Sequence, residues 1–285
     1  MPAHMYMKEN GVAKRFEPLK KDGTPYKNIP KKVSEEVGAV IGITSQISNH
    51  LDKGWLIPWN STLAIDSAFE ALYEYAAGVV GVSQAQSFRT IPKATKDYAK
   101  AILKEKSNAD SNRGTEYHNG IDSFLKTGVA SEDPLIAVAQ TQVADFLKAY
   151  GIDPSSVKAE HCVLFNGGIT LEDGTVLEIN NGATADLISK SLLVDWKTTK
   201  KASDGKYHTG KIDHCAQLAF CKHAACQDGH CDHDAKCVNV YISRLSGKIV
   251  AIKEWKQEEL DVALEWVGRC YECDKAKAKL EGVIK

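Results

Sequence analysis

The stretch Gly182-Ala-Thr-Ala-Asp186-Leu-Ile-Ser-Lys-Ser-Leu-Leu-Val-Asp195-Trp-Lys197-Thr198 constrains the fold more than any other part of the chain. Two apolar, strand-like runs flank Ser189-Lys190-Ser191, and a two-residue loop at Lys190 and Ser191 pairs Ser189 with Leu192. Asp186 and Asp195 each lie three residues further from that loop, so this register sets them opposite one another. Side chains alternate along a strand, so Asp195 and Lys197 share a face, and that face also carries Asp186. Two carboxylates opposed in an apolar hairpin repel each other unless a cation lies between them. A divalent metal supplies that cation. Oxygen ligands favour Mg2+ or Mn2+, and the Lys197 ammonium is placed to hold a water nucleophile or to offset charge on a phosphate. The alternative is a surface hairpin in which Lys197 pairs with an aspartate, and Lys-Ser is not a preferred pair for a tight hairpin turn.

Around this hairpin the pattern alternates between helix and strand. Thr44 or Ser45 can cap a helix through Asp52, and Ser61 or Thr62 another through Tyr75. The segment Lys93–Lys106 carries five lysines on a predicted helix, either a phosphate-tracking face or an ordinary solvated one. A further helix is predicted over Asn112–Lys126, with His118, Ile121 and Leu125 on one face, and another from Pro134 to Tyr150, closed by Gly151. Strands are predicted at Glu160–Phe165, Thr175–Ile179, Ala183–Ser189, Leu192–Thr198 and Val238–Arg244. Helices at Ile212–Ala225 and Gln257–Lys279 complete the pattern. The expectation is an α/β chain with a mixed central sheet flanked by helices, behind a helical N-terminal region.

The 285 residues, 43% apolar and 26% charged, suffice for a full core, and a net charge of −1 means that any nucleic-acid contact must come from a local basic groove. No apolar run approaches the roughly 20 residues that span a bilayer, and Met1–Asn10 lacks the pattern of a secretory signal. A soluble, cytoplasmic protein in a reducing compartment is expected, without membrane contact. Residues 1–35, rich in lysine and proline, read as an extended basic arm.

The order Arg113-Gly-Thr-Glu-Tyr-His118, Glu160 opening a strand, Gly182-Ala-Thr-Ala-Asp186, Asp195-Trp-Lys197-Thr198 and Gln217-Leu-Ala-Phe220 resembles the RecB-type branch of the PD-(D/E)XK nucleases. That branch includes phage exonucleases, CRISPR adaptation nucleases and the mitochondrial genome maintenance exonuclease. The resemblance implies a restriction-endonuclease-like core over 110–285, preceded by a helical region over 36–109 packed on it. It implies an Mg2+- or Mn2+-dependent deoxyribonuclease, an exonuclease rather than an endonuclease. The substrate would be single- or double-stranded DNA with free ends, in recombination, repair or replication of a bacterial or phage-infected cell.

By the same resemblance, His118, Asp186 and Asp195 are the metal ligands and Lys197 the motif lysine. Gln217 is the helix glutamine beside the site, and Glu160 an acidic position of variable role. Arg113, Thr198 and Lys200 are the matching candidates for DNA contact. Many relatives carry a tyrosine four residues after the glutamine, where this chain has Cys221.

All eight cysteines lie in the second half. Cys226, Cys231, His233 and Cys237 could supply four ligands to a structural zinc, although their spacing is not that of a standard finger. An iron–sulfur cluster of the kind some relatives carry uses a cysteine upstream of the histidine motif, and none precedes Cys162 here, so it is not expected. Two other readings stand beside the nuclease: a non-catalytic DNA-binding module of the same fold, and a Cys/His zinc-binding interaction protein. Trp55 and Trp59 could stack unpaired bases, or pack in a core.

Overall fold

The computed structural model describes residues 4–26, 29–51, 93–201, 205–207 and 209–281. The helix expected over Ser61–Tyr75 and the residues Trp55 and Trp59 lie outside the described residues. The chain forms two compact units: Met1–His50 with Glu116–Lys285, and Leu51–Thr115. In the second unit the described structure is the first part of α3, the helix Lys93–Thr127, which continues into the first unit. The helices expected over Lys93–Lys106 and Asn112–Lys126 are one, because the residues between them include neither glycine nor proline and the helix passes through.

The first unit is built on a mixed five-stranded sheet whose strands lie side by side in chain order. Its strands are β4 (Lys158–Thr170), β5 (Val176–Ile188), β6 (Leu192–Thr199), β7 (Lys236–Ser243) and β8 (Ile249–Trp255). Neighbours run antiparallel except β6 and β7, which are parallel. A parallel pair needs a crossover, and helix α5 (Ile212–Gln227) supplies it. Val176–Ile188 form one continuous strand rather than the expected two, because Asn180-Asn181-Gly182 is a crossing point and not a turn. A β-carbon at Gly182 would lie 2.3 Å from Cβ of Tyr6, so only glycine admits that side chain against β5. Strand β8 was not expected. Its burial alternates only weakly along the edge of the sheet, which leaves little period-2 signal.

Helix α4 (Pro134–Ala149) begins where the sequence predicts. The Asp133 carboxylate accepts from the amides of Leu135 and Ile136, with proline at the first helical position. Its apolar stripe joins Tyr117 and Ile121 of α3 over Leu187, Leu192, Val194, Trp196, Val238 and Val240 of the sheet. Side chains alternate along β6, so Asp195 and Lys197 leave that core for the other face, where Lys197 meets α5. The closing helix α6 (Gln257–Leu280) buries Leu260, Ala263, Val267 and Cys270.

The described part of residues 1–35 is not simply an extended arm. Strands β1 (Met5–Glu9) and β2 (Val12–Arg15) form a hairpin, and β3 (Val40–Ile41) joins β1 in a second sheet of order β2-β1-β3. The turn is Asn10-Gly11 with φ of 51° and 82°, a pair suited to a two-residue hairpin loop. Two short helices follow, α1 (Lys31–Glu36) and α2 (Ile43–His50). Among the described residues, no helix is long and apolar enough to cross a membrane.

Candidate metal centre

The β5–β6 hairpin has the register that the two-residue loop demands. Leu187 pairs with Val194 and Ile188 with Leu193, and the Ser189 amide donates to the Leu192 carbonyl at 2.8 Å. One step further, Asp186 stands opposite Asp195, but the backbone ladder has already parted. Oδ2 of Asp186 takes the place of a strand partner and accepts the Trp196 amide at 2.7 Å.

On its other side Asp186 faces Glu160. The pairs Ala159–Leu187 and His161–Ala185 bracket these two residues across β4 and β5. Glu160 has φ of 48°, a left-handed conformation that costs a residue with a β-carbon about 1–3 kcal/mol. Its carboxylate joins Asp186 and the His118 imidazole, with one ligand atom of each within 4.8 Å of the others. His118 arrives from α3 because Tyr117 and Ile121 turn into the core, and its Nδ1 lies 3.3 Å from Oδ1 of Asp186.

Asp195 stands outside that group of three, and both its oxygens are engaged. Oδ1 accepts from Lys197 Nζ at 2.8 Å and Oδ2 from Asn239 Nδ2 at 2.5 Å. Lys197 also donates to Oε1 of Gln217 at 3.0 Å. Asp195 pairs with Asn239 in register and Asn239 with Lys253, so one row of polar side chains crosses five strands: Glu160, Asp186, Asp195, Asn239, Lys253.

The electrostatics follow from this crowding. Burial pushes the Asp195 carboxyl up to about 6, against the pull of Lys197 and with added repulsion from Asp186. Burial also acts to raise Asp186, but the charge of His118 and the cation of Lys197 outweigh it and hold that carboxyl low. His118 is raised, because Asp186 overcomes its desolvation, and Glu160 is raised by burial and then by Asp186. Three acids are thus balanced by an imidazole and an ammonium, an arrangement in which a divalent cation can displace the imidazole proton. Two carboxylates and one imidazole fit a hard or borderline divalent ion.

Other predicted positions fall at varying distance from this point. Thr198 follows Lys197 on β6, partly buried, and Lys200 is exposed just beyond it. Arg113 belongs to the unit Leu51–Thr115. Cys221 is buried one turn after Gln217, near enough to Asp195 and Asp186 that both oppose its ionisation, after burial itself. Cys226 and Cys231 approach at 3.1 Å between sulfurs, Cys237 is buried and His233 is exposed. Among the described residues, the three-ligand group found is the one at His118, Glu160 and Asp186.

Two residues went unread in the sequence. Asn239 is fully buried and holds Asp195, and the Trp255 indole donates to Asn239 Oδ1 at 2.6 Å. A lone asparagine within Cys237-Val-Asn-Val-Tyr-Ile was the signal, since a buried amide needs partners.

No family model matches the chain, and no curated protein does. Among the solved structures similar to parts of it are two crystal structures. The crystal structure of a protein named SSO0001 is 20% identical with a TM-score of 0.25, covering 45% of this chain. The chain spans 54% of that protein, about half its length. A presumed exonuclease from Eubacterium rectale is 11% identical with a TM-score of 0.34, covering 61% of this chain and 69% of its own.

Proposed function

We propose that this chain is a metal-dependent deoxyribonuclease of the RecB-type PD-(D/E)XK kind, an exonuclease acting in DNA recombination, repair or replication. The observation that carries the reading is the convergence of His118, Glu160 and Asp186 on one point beside the Asp195–Lys197–Gln217 chain. In this reading His118, Asp186 and Asp195 hold Mg2+ or Mn2+, with Glu160 close enough to join them. The ion supplies Lewis acidity toward a phosphate oxygen and lowers the pKa of bound water.

The chain's own residues do the rest. Lys197 is fixed between Asp195 and Gln217, so its Nζ has one remaining hydrogen to direct at a water or at a phosphate oxygen. Gln217 thereby sets where that ammonium points. In this reading Thr198 and Lys200, next along the chain, contact the DNA backbone, and such binding weakens with salt.

The test is digestion of end-labelled linear single- and double-stranded DNA, and of a closed circle, with Mg2+, Mn2+ or chelator. Metal-dependent shortening from ends, lost in Asp195→Ala, is expected. Binding without cleavage under every condition would replace this reading with a non-catalytic DNA-binding module.

A further inference from the structure

Asn239 is fully buried in the sheet, and both ends of its amide are committed. Nε1 of Trp255 meets Oδ1 at 2.6 Å, and Nδ2 meets Oδ2 of Asp195 at 2.5 Å. An indole N–H donates and cannot accept, so the Trp255 contact dictates which end of the amide is the oxygen. The end turned toward Asp195 is therefore the NH2 group, a donor that requires an acceptor. Trp255 is itself held from outside: Lys253 Nζ lies 4.4 Å from its ring centroid, and Glu259 of α6 anchors that ammonium at 2.9 Å.

We infer that Trp255 and Asn239 are positioning residues that pin Oδ2 of Asp195 to the sheet and so leave Oδ1, which also accepts from Lys197, as the oxygen offered to the metal. The inference rests on the nuclease reading and adds to it a device for fixing the ligand mode of one carboxylate. An apolar residue at 239 would carry no desolvation cost, and the chain buries an amide there instead. Its partner is the carboxylate of the Asp195-Trp-Lys197 motif, not a backbone group, which separates this amide from one that merely completes the sheet. Groups that orient a ligand without touching the metal typically change its affinity about 10–100-fold.

The experiment measures Mn2+ binding to the whole protein by calorimetry, alongside DNA cleavage over a range of Mn2+ concentrations. Trp255→Phe keeps an aromatic ring and removes the N–H that orients the amide; Asn239→Leu removes the amide. Tyr150→Phe removes a different hydrogen bond at β8, to Glu254, and serves as the control. The inference expects Trp255→Phe to fold as wild type and to bind Mn2+ about 10-fold more weakly. It also expects kcat at low Mn2+ to fall, KM for DNA to be unchanged and high Mn2+ to restore cleavage. Tyr150→Phe should match wild type throughout. Wild-type Mn2+ affinity in Trp255→Phe overturns the inference while leaving the nuclease standing. A wild-type protein that neither binds Mn2+ nor cleaves DNA removes both.

Discussion

Glu160 and Asp186 oppose each other across β4 and β5, and Glu160 meets Asp186 through a left-handed backbone. The next such non-glycine residue among those described is Asn10, in a hairpin turn where that conformation is ordinary. Strain of this kind persists where surrounding structure overrides it, often at sites of chemistry. Glu160→Gln and Asp186→Asn should each cut metal-dependent cleavage about 100-fold or more, which is about 2.7 kcal/mol of barrier. Glu160→Gly should be as inactive as Glu160→Ala yet more stable by about 1 kcal/mol, since glycine accepts the positive φ. Urea melts of the two variants decide this, and equal stability would remove the claim of strain.

Gly182→Ala should loosen the N-terminal strands from the main sheet. The added methyl meets Tyr6 at 2.3–2.8 Å, and Tyr6 is otherwise held by its hydroxyl to Thr184 at 3.2 Å. Overpacking of this sort costs about 1–3 kcal/mol. Amide exchange should quicken in Met5–Glu9 before it does in β6 and β7. Uniform exchange would show that the strands do not detach as a unit.

Acid should destabilise the corner where His161 and His230 meet edge to face, 4.5 Å between centroids. Burial holds both imidazoles below their ordinary 6.5, helped by Lys158, whose Nζ donates to His230 Nδ1 at 2.8 Å. The folded protein therefore binds fewer protons at these groups than the unfolded chain. Their contribution is full above about pH 6.5 and is lost as pH falls through the lowered folded values. His161→Phe should flatten the dependence of Tm on pH between about 7 and 5 relative to wild type. Parallel curves for the two proteins would contradict this.

Cysteine reactivity should follow burial. Burial pushes Cys215 and Cys237 up to about 12, whereas Cys273 is exposed and Cys226 partly so. Iodoacetamide at neutral pH should label Cys273 first and Cys215 and Cys237 only on unfolding, as read by peptide mass spectrometry. Zn2+ that binds one per chain and shields both Cys226 and Cys231 would establish a zinc site in the loop. Labelling of Cys226 indifferent to Zn2+ would leave the pair as thiols.

The hairpin of β5 and β6 was legible because a period of two and an apolar background leave Asp186, Asp195 and Lys197 as its charged positions between Gly182 and Thr198, apart from Lys190 in the loop. Helix α4 was legible from its cap and its closing glycine. The position of Glu160 beside Asp186 was not, since it depends on the register of two strands joined by a turn at Leu171–Thr175 and on a backbone angle that no residue pattern announces. Asn239 and Trp255 were missed for a related reason: their roles exist only once β7 and β8 lie beside β6.

Asp195 and Asn239 touch in space but lie 44 residues apart in the chain, and Trp255 follows 16 residues later. Since β6 and β7 are parallel, the crossover through α5 must be synthesised before β7 can pair with β6. During synthesis the acidic strands emerge first and the frame that orients Asp195 last. A translation product that stops short of Asn239 therefore carries every carboxylate of the motif and none of the side chains that hold Asp195 Oδ2 in place.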